Sequence, residues 1–173
     1  MEPQALISRL FEAFPTAPVP EMTLRQAQLA DQSLDRAISD DEWDKEGQKD
    51  RHIFWPDLSI DQLVECEAAL AHFDEQSFVY YLPAFLRAAV QNADVDVLHP
   101  LSGIVGSTVF SVTDRSNYNL ARLKRLTHQQ IDCVIEFLKY ISAHSRFRSQ
   151  DAEKALKRYW LTPEARRPLI YVP

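Results

Sequence analysis

The chain has 173 residues, a formal net charge of −6 and 46% hydrophobic residues. That length suits one domain, which hides roughly 70% of the surface its unfolded chain would expose, so no disulfide or metal staple is needed. With only 3 glycines, a turn-rich β fold and a glycine-rich phosphate loop are both disfavoured.

The opening MEPQALISRL lacks the apolar core of a secretory signal, and no apolar run reaches the roughly 18 to 20 residues of a membrane span. The expectation is a cytoplasmic protein whose two cysteines, Cys66 and Cys133, stay reduced. The net charge hides an asymmetry. Residues 1–75 carry 17 acidic and 6 basic residues, whereas residues 76–173 carry 8 acidic and 13 basic. Such a chain complements itself internally or presents an acidic face to a basic partner.

In chain order, Leu6, Ile7, Leu10, Phe11 and Phe14 give one apolar helical face over Pro3–Phe14, ended by PTAPVP, whose prolines favour an extended strap. Thr23 and Gln26 fit a capping box opening a second helix, with Leu24, Ala27, Leu34 and Ile38 as a thin stripe. Ser39 and Glu42 suggest another box at the start of the polar DDEWDKEGQKDR. Pro56 forces a turn, and Ser59 with Gln62 caps a helix carrying Ile60, Leu63, Val64, Leu70 and Ala71.

The sharpest element is FDEQSFVYYLPAFLRAAV, Phe73–Val90. Asp74 is its cap, Phe73 and Phe78 form a hydrophobic staple, and Phe78, Tyr81, Leu82, Phe85, Leu86 and Ala89 form the stripe. Pro83 stands in its interior. There it removes a backbone hydrogen bond and its ring presses on the Val79 carbonyl, at a cost of about 3 kcal/mol. The chain avoids that cost if one helix ends near Tyr81 and a second starts at Pro83.

Residues 94–119 allow two readings: a short strand pair that uses TVFSV at 108–112, or a helix over 96–105 followed by an extended loop. Thr127 and Gln130 cap a helix over Leu126–Ser142 with the stripe Ile131, Val134, Ile135, Leu138 and Ile141. A last helix over Ser149–Trp160 turns Ala152, Ala155, Leu156, Tyr159 and Trp160 inward. Beyond it an extended tail is held by Leu169, Ile170 and Tyr171.

Catalytic signals are weak. His52, His72, His99, His128 and His144 include no i, i+4 pair, and neither HExxH nor GxSxG occurs. Ser102, Gly103, Gly106 and Ser107 read as a loop able to form an anion nest, but lack the lysine and spacing of a P-loop. Asp31 and Asp35 share a helix face, as an acid/base pair would. Cys66 and Cys133 have the apolar neighbours of inert core thiols. Arg122, Lys124, Arg125, Arg146, Arg148, Lys154, Lys157 and Arg158 form the basic complement, but a pI of about 5.3 disfavours nucleic acid. No cofactor and no metal site is expected.

Two surfaces remain. The acidic segment Asp40, Asp41, Glu42, Trp43, Asp44 and Glu46 combines an aromatic anchor with charges that speed encounter with a basic partner. Tyr80 and Tyr81 are the ligand-binding candidates if a cleft opens beside Pro83.

The runs ALAHFDEQSFVYYLPAFLRAAV, DVLHPL, LTHQQIDCVIEFLKYI and ALKRYW, with YYLPAFL at Tyr80–Leu86 as the specific part, resemble an uncharacterised family of small bacterial proteins, DUF6714. The resemblance covers roughly Ser59 to Trp160 and the N-terminal helix with its prolines. It implies a bacterial cytoplasmic origin and a nearly all-helical fold, and brings no catalytic residues. The acidic segment 40–46 lies outside the pattern.

The expected fold is thus mainly α: one compact domain over residues 1–173 with six or seven helices and at most a short extended segment near 108–112. The expected function is a protein-interaction module, of the kind of an immunity or antitoxin-like protein that binds a basic toxin domain, with no catalytic motif recognised. The alternative is a small-molecule binding protein or enzyme with a cleft beside Pro83. A homodimer is a third possibility.

Overall fold

The computed structural model describes residues 2–167, and within them there are ten α-helices and no strand. They are α1 (Pro3–Ala13), α2 (Leu24–Gln32), α3 (Asp40–Asp50), α4 (Ile60–Glu65), α5 (Ala69–His72), α6 (Glu75–Gln91), α7 (Ser102–Thr113), α8 (Asn117–Leu123), α9 (His128–His144) and α10 (Ser149–Ala155). The mainly α expectation holds. The helices outnumber the expected six or seven, and two of them, α4 and α5, have fewer than seven residues. The tail residues Leu169, Ile170 and Tyr171 lie outside the described residues.

α6 is the centre, packed by α1, α7, α8 and α9. Twelve of its 17 residues are buried, so it is apolar nearly all round, as a core helix should be. It runs unbroken through buried Pro83, so the two-helix reading does not hold. Packing on every side carries the lost backbone bond. Asp74 caps it by accepting the Ser77 N–H at 2.7 Å, and the staple residues Phe73 and Phe78 are fully buried.

The proline strap closes one side of this core. Its carbonyls accept from side chains beneath: Trp55 Nε1 donates to Pro15 O at 3.0 Å and Tyr80 Oη to Thr16 O at 2.9 Å. The capping boxes at Thr23/Gln26, Ser59/Gln62 and Thr127/Gln130 all form. At Ser39 only half the box forms. Ser39 Oγ accepts the Glu42 N–H at 3.2 Å, while the Glu42 carboxylate turns to Arg36.

Four local expectations need correction. Residues 108–112 are neither strand nor loop but the second half of α7. Ile104, Val105, Val109 and Val112 are all buried, and that tertiary burial outweighs β-branched propensity. Thr108 Oγ1 and Ser111 Oγ bond the carbonyls of Ile104 (2.6 Å) and Ser107 (2.9 Å), one turn back, so these buried hydroxyls need no outside partner. For the same reason Ser102, Gly103, Gly106 and Ser107 belong to α7 and make no loop nest.

The second helix stops at Gln32, because Leu34 finds nothing to cover it and stands 78% exposed. The helix expected to run from Ile60 to Ala71 breaks at Cys66, and the Ala68 N–H is taken by Gln28 Oε1 of α2 at 3.1 Å.

α10 continues beyond Ala155 in a wider turn, Leu156–Trp160, that buries both Tyr159 and Trp160. Trp160 Nε1 donates to Val112 O at 2.7 Å and locks this turn against α7. Among the described residues no helix is long and apolar enough to cross a membrane.

Candidate functional site

The acidic segment folds as α3, because Ser39 caps it and Asp40, Asp41 and Glu42 place negative charge in its first turn, where the helix dipole favours it. α3 lies on α2 and buries only Gly47 and Asp50. Polar contacts hold it there. Asp50 is 1% exposed and reaches the first turn of α2, where Oδ2 accepts the Arg25 N–H at 2.7 Å and Oδ1 lies 3.5 Å from Arg25 Nε. Burial pushes the Asp50 carboxyl up, against the opposing pull of Arg25. Gln26 Nε2 donates to Trp43 O at 3.1 Å. A Cβ at Gly47 would stand 2.5 Å from the same Gln26 nitrogen, so the close approach of the helices needs glycine.

These contacts sort the six acidic-segment residues. Glu42 is committed to Arg36 through two bonds, at 2.9 and 2.5 Å, and Glu46 to Lys49 at 2.5 Å. Asp40, Asp41 and Asp44 are exposed and have no cation partner among the described residues. Trp43 is half-buried and opens onto a groove of about 480 Å³. Met22 and Tyr118 share its walls, with the carboxylates of Glu21, Asp44 and Asp74. None of these three carboxylates has a cation partner among the described residues. Arg51 and His72 also border the groove, but His72 Nε2 is engaged by Asp31 Oδ1 at 3.0 Å.

The two tyrosines divide. Tyr80 faces the strap and lines a cleft of about 480 Å³ with Pro15, Pro18, Pro20 and Val79, bordered by the Glu75–Arg125 ion pair. Tyr81 does not reach it. Its ring is fully buried, stacked on Phe73 at 4.9 Å between centroids, and its hydroxyl is buried without a hydrogen-bond partner. Burial raises its phenol pKa. The ligand candidate therefore reduces to Tyr80, about one turn before Pro83.

Burial pushes the Cys66 thiol up to about 12 and that of Cys133 up to about 11. Neither is a ready thiolate at neutral pH. Asp31 and Asp35 form no acid/base pair: Asp35 lies beyond the end of α2, and Asp31 is on His72.

The basic residues also separate. Arg122 is 4% exposed, donates to Leu70 O (2.7 Å) and Asn119 Oδ1 (2.6 Å), and lies between the Phe78 and Tyr118 rings. It clamps α8 onto the end of α5. Arg125 pairs with Glu75 and Lys157 with Glu153, while Lys124 donates to the carbonyls of Glu164 and Arg167. Arg148, Lys154 and Arg158 converge on one groove with Arg115.

The groove residues that sequence reasoning missed are Glu21, Met22, Asp74 and Tyr118. Asp74 signals only as a helix cap, and Tyr118 belongs to the stretch whose pattern is ambiguous. Only the tertiary fold brings them to Trp43.

Fold and grooves together define an all-helical protein with an acidic outer helix and no assembled catalytic constellation among the described residues. Residues 2–164 match the family of unknown function DUF6714, and the chain belongs to that family; the match takes in the acidic segment 40–46, which the expected pattern leaves outside. No curated protein and no solved structure matches it.

Proposed function

We propose that this protein is an interaction module that takes a basic protein partner on its α2–α3 face. An immunity or antitoxin-like protein of a bacterial cytoplasm would meet a basic toxin domain in this way. The observation that carries the reading is the Trp43 groove, where two aromatic rings and a methionine sit among the carboxylates of Glu21, Asp44 and Asp74. An arginine or lysine side chain entering there gains ion pairs and the face of a ring together. The exposed charges of Asp40 and Asp41, in the first turn of α3, steer such a partner and raise its on-rate.

The test is co-purification with the products of neighbouring genes, followed by affinity measurement with Asp44→Arg and Glu21→Arg. A basic partner that binds the native chain and is lost with the double variant supports the reading. Binding that survives charge reversal, or no basic partner at all, sinks it.

A second reading rests on the Tyr80 cleft: a small apolar ligand lying on the strap prolines and Val79, oriented by the Glu75–Arg125 pair. A fragment screen read by chemical shifts decides it. Hits that move Tyr80 and Val79 and vanish on Val79→Arg favour it, and an unresponsive cleft removes it.

A further inference from the structure

A further groove, of about 300 Å³, lies between α7, α10 and the wide turn that follows α10. Four cations line it, Arg115, Arg148, Lys154 and Arg158, against a single carboxylate, Asp151. The residues that line it come from the basic second half of the chain, and they gather that half's excess charge in one groove.

Partners consume part of that charge. Arg115 pairs with Glu164 at 3.0 Å and Arg148 with Asp151 at 3.0 Å. Lys154 and Arg158 have no carboxylate partner among the described residues. Lys154 and Arg158 lie four residues apart, across the point where α10 passes into its wide turn. Wide turns of this kind are rare, and they are frequent at functional sites.

Arg148 forms part of the lining in an unusual way. Its guanidinium lies over Gly106, with a nitrogen 3.2 Å from where a Cβ would stand, and its Nε is buried without an acceptor. Beside these charges stands Phe110, which lines the same groove and is 59% exposed. A large ring left open to solvent next to cations is a pairing that a ligand with an anionic head and an apolar or aromatic body completes.

The geometry points to a binding site for a small phosphate ester whose ring packs on Phe110 while its phosphate is held by Lys154, Arg158 and the Arg148 guanidinium. Arginine forks and lysine charges are the usual phosphate holders. The groove's volume sits at the lower end for small-molecule sites, which run from roughly 300 to 1,000 Å³. That size suits a compact ester rather than a helix from another protein.

Titration of the full chain with phenyl phosphate, inorganic phosphate and adenosine monophosphate, followed by amide chemical shifts at low salt, tests the site. Phenyl phosphate and the nucleotide are expected to bind more tightly than inorganic phosphate and to move Phe110, Lys154 and Arg158. Lys154→Ala with Arg158→Ala weakens all three about tenfold or more. Phe110→Ala weakens the two ring-bearing probes and leaves inorganic phosphate unchanged. Gly106→Ala, which displaces Arg148, lowers binding without touching Lys154 or Arg158. Melting temperatures of the Lys154, Arg158 and Phe110 variants stay near that of the native chain.

The assignment is overturned if the ring-bearing probes bind no better than inorganic phosphate, or if the double variant binds as the native chain does. It is also overturned if no probe binds and the groove shifts only with salt-sensitive self-association. In that case the cations serve the acidic face of a second copy.

Discussion

The acidic and basic sides of this molecule are fastened in opposite ways. On the acidic side α3 carries six carboxylates against two lysines and buries almost no apolar side chain, so it is attached by Asp50, by the Gln26–Trp43 bond and by Glu42–Arg36. On the basic side α10 and its wide turn bury Ala152, Leu156, Tyr159 and Trp160, and the cations stand on that apolar base. Apolar packing fixes a surface but also covers it. Polar pegs at one edge of a helix leave the rest of that helix free, and α3 is presented in this manner.

The largest expected effect tests the apolar attachment. Trp160 is 2% exposed and bonded to Val112 O, so Trp160→Ala costs about 3–5 kcal/mol in urea unfolding. A loss below about 1 kcal/mol would erase the contrast between the two sides.

Next comes the polar attachment. Asp50→Ala leaves the Arg25 N–H without its acceptor and costs about 2 kcal/mol. Asp50→Asn keeps an acceptor, carries no charge and costs less than about 1 kcal/mol. The pH dependence separates them further. Burial raises the Asp50 pKa, so the folded chain binds this proton more tightly than the unfolded chain. The stability that Asp50 contributes is full below the ordinary Asp range and is lost as pH rises through the raised folded value. Thermal melts from the ordinary Asp range to neutrality should show a falling component in the native chain that Asp50→Asn removes. An unchanged profile in that variant would mean that Asp50 is not the buried acid responsible.

Gly47→Ala is a smaller intervention at the same joint. Its Cβ meets the Gln26 amide, which both completes the α2 cap and holds the Trp43 carbonyl. The expected loss is about 1–2 kcal/mol, with a red shift in tryptophan emission as Trp43 loosens, since Trp55 and Trp160 stay buried. Gly103→Ala is the control. There the Cβ meets only the end of the exposed Glu67 side chain, which swings aside, and the better helix propensity of alanine makes the change neutral or stabilising by up to about 1 kcal/mol.

How much of this was legible in the sequence follows from the range of the interactions. Thr23/Gln26, Ser59/Gln62 and Thr127/Gln130 act within three residues, and each marked a true helix start. The stripe of α6 was legible for the same local reason. α7 was not, because SGIVGSTVFSVT carries no charged residue to mark a solvent face and so shows no apolar period, and its β-branched residues point the wrong way. The acidic helix was visible as charge, but the Arg36 and Lys49 pairings that neutralise Glu42 and Glu46 were not. The Trp43 groove unites Glu21, Asp74 and Tyr118 from three separate parts of the chain, and nothing local announces that meeting.

The smallest expected effect on stability belongs to the change with the largest expected effect on function. Asp44 and Glu21 are exposed and bonded to nothing among the described residues. Asp44→Arg with Glu21→Arg therefore shifts stability by no more than about 0.5 kcal/mol. Asp40 and Asp41 are poorer choices for this purpose, since reversing them also opposes the α3 dipole. Against an arginine-rich peptide, the native chain is expected to bind with an affinity that falls as salt rises, and the double variant to bind about tenfold more weakly or not at all. Trp43→Ala should add a further loss that salt does not reproduce, because it removes the ring and leaves the charges. If the double variant loses stability instead of binding, the acidic side is fastened by those carboxylates after all, and the freedom ascribed to its outer face is wrong.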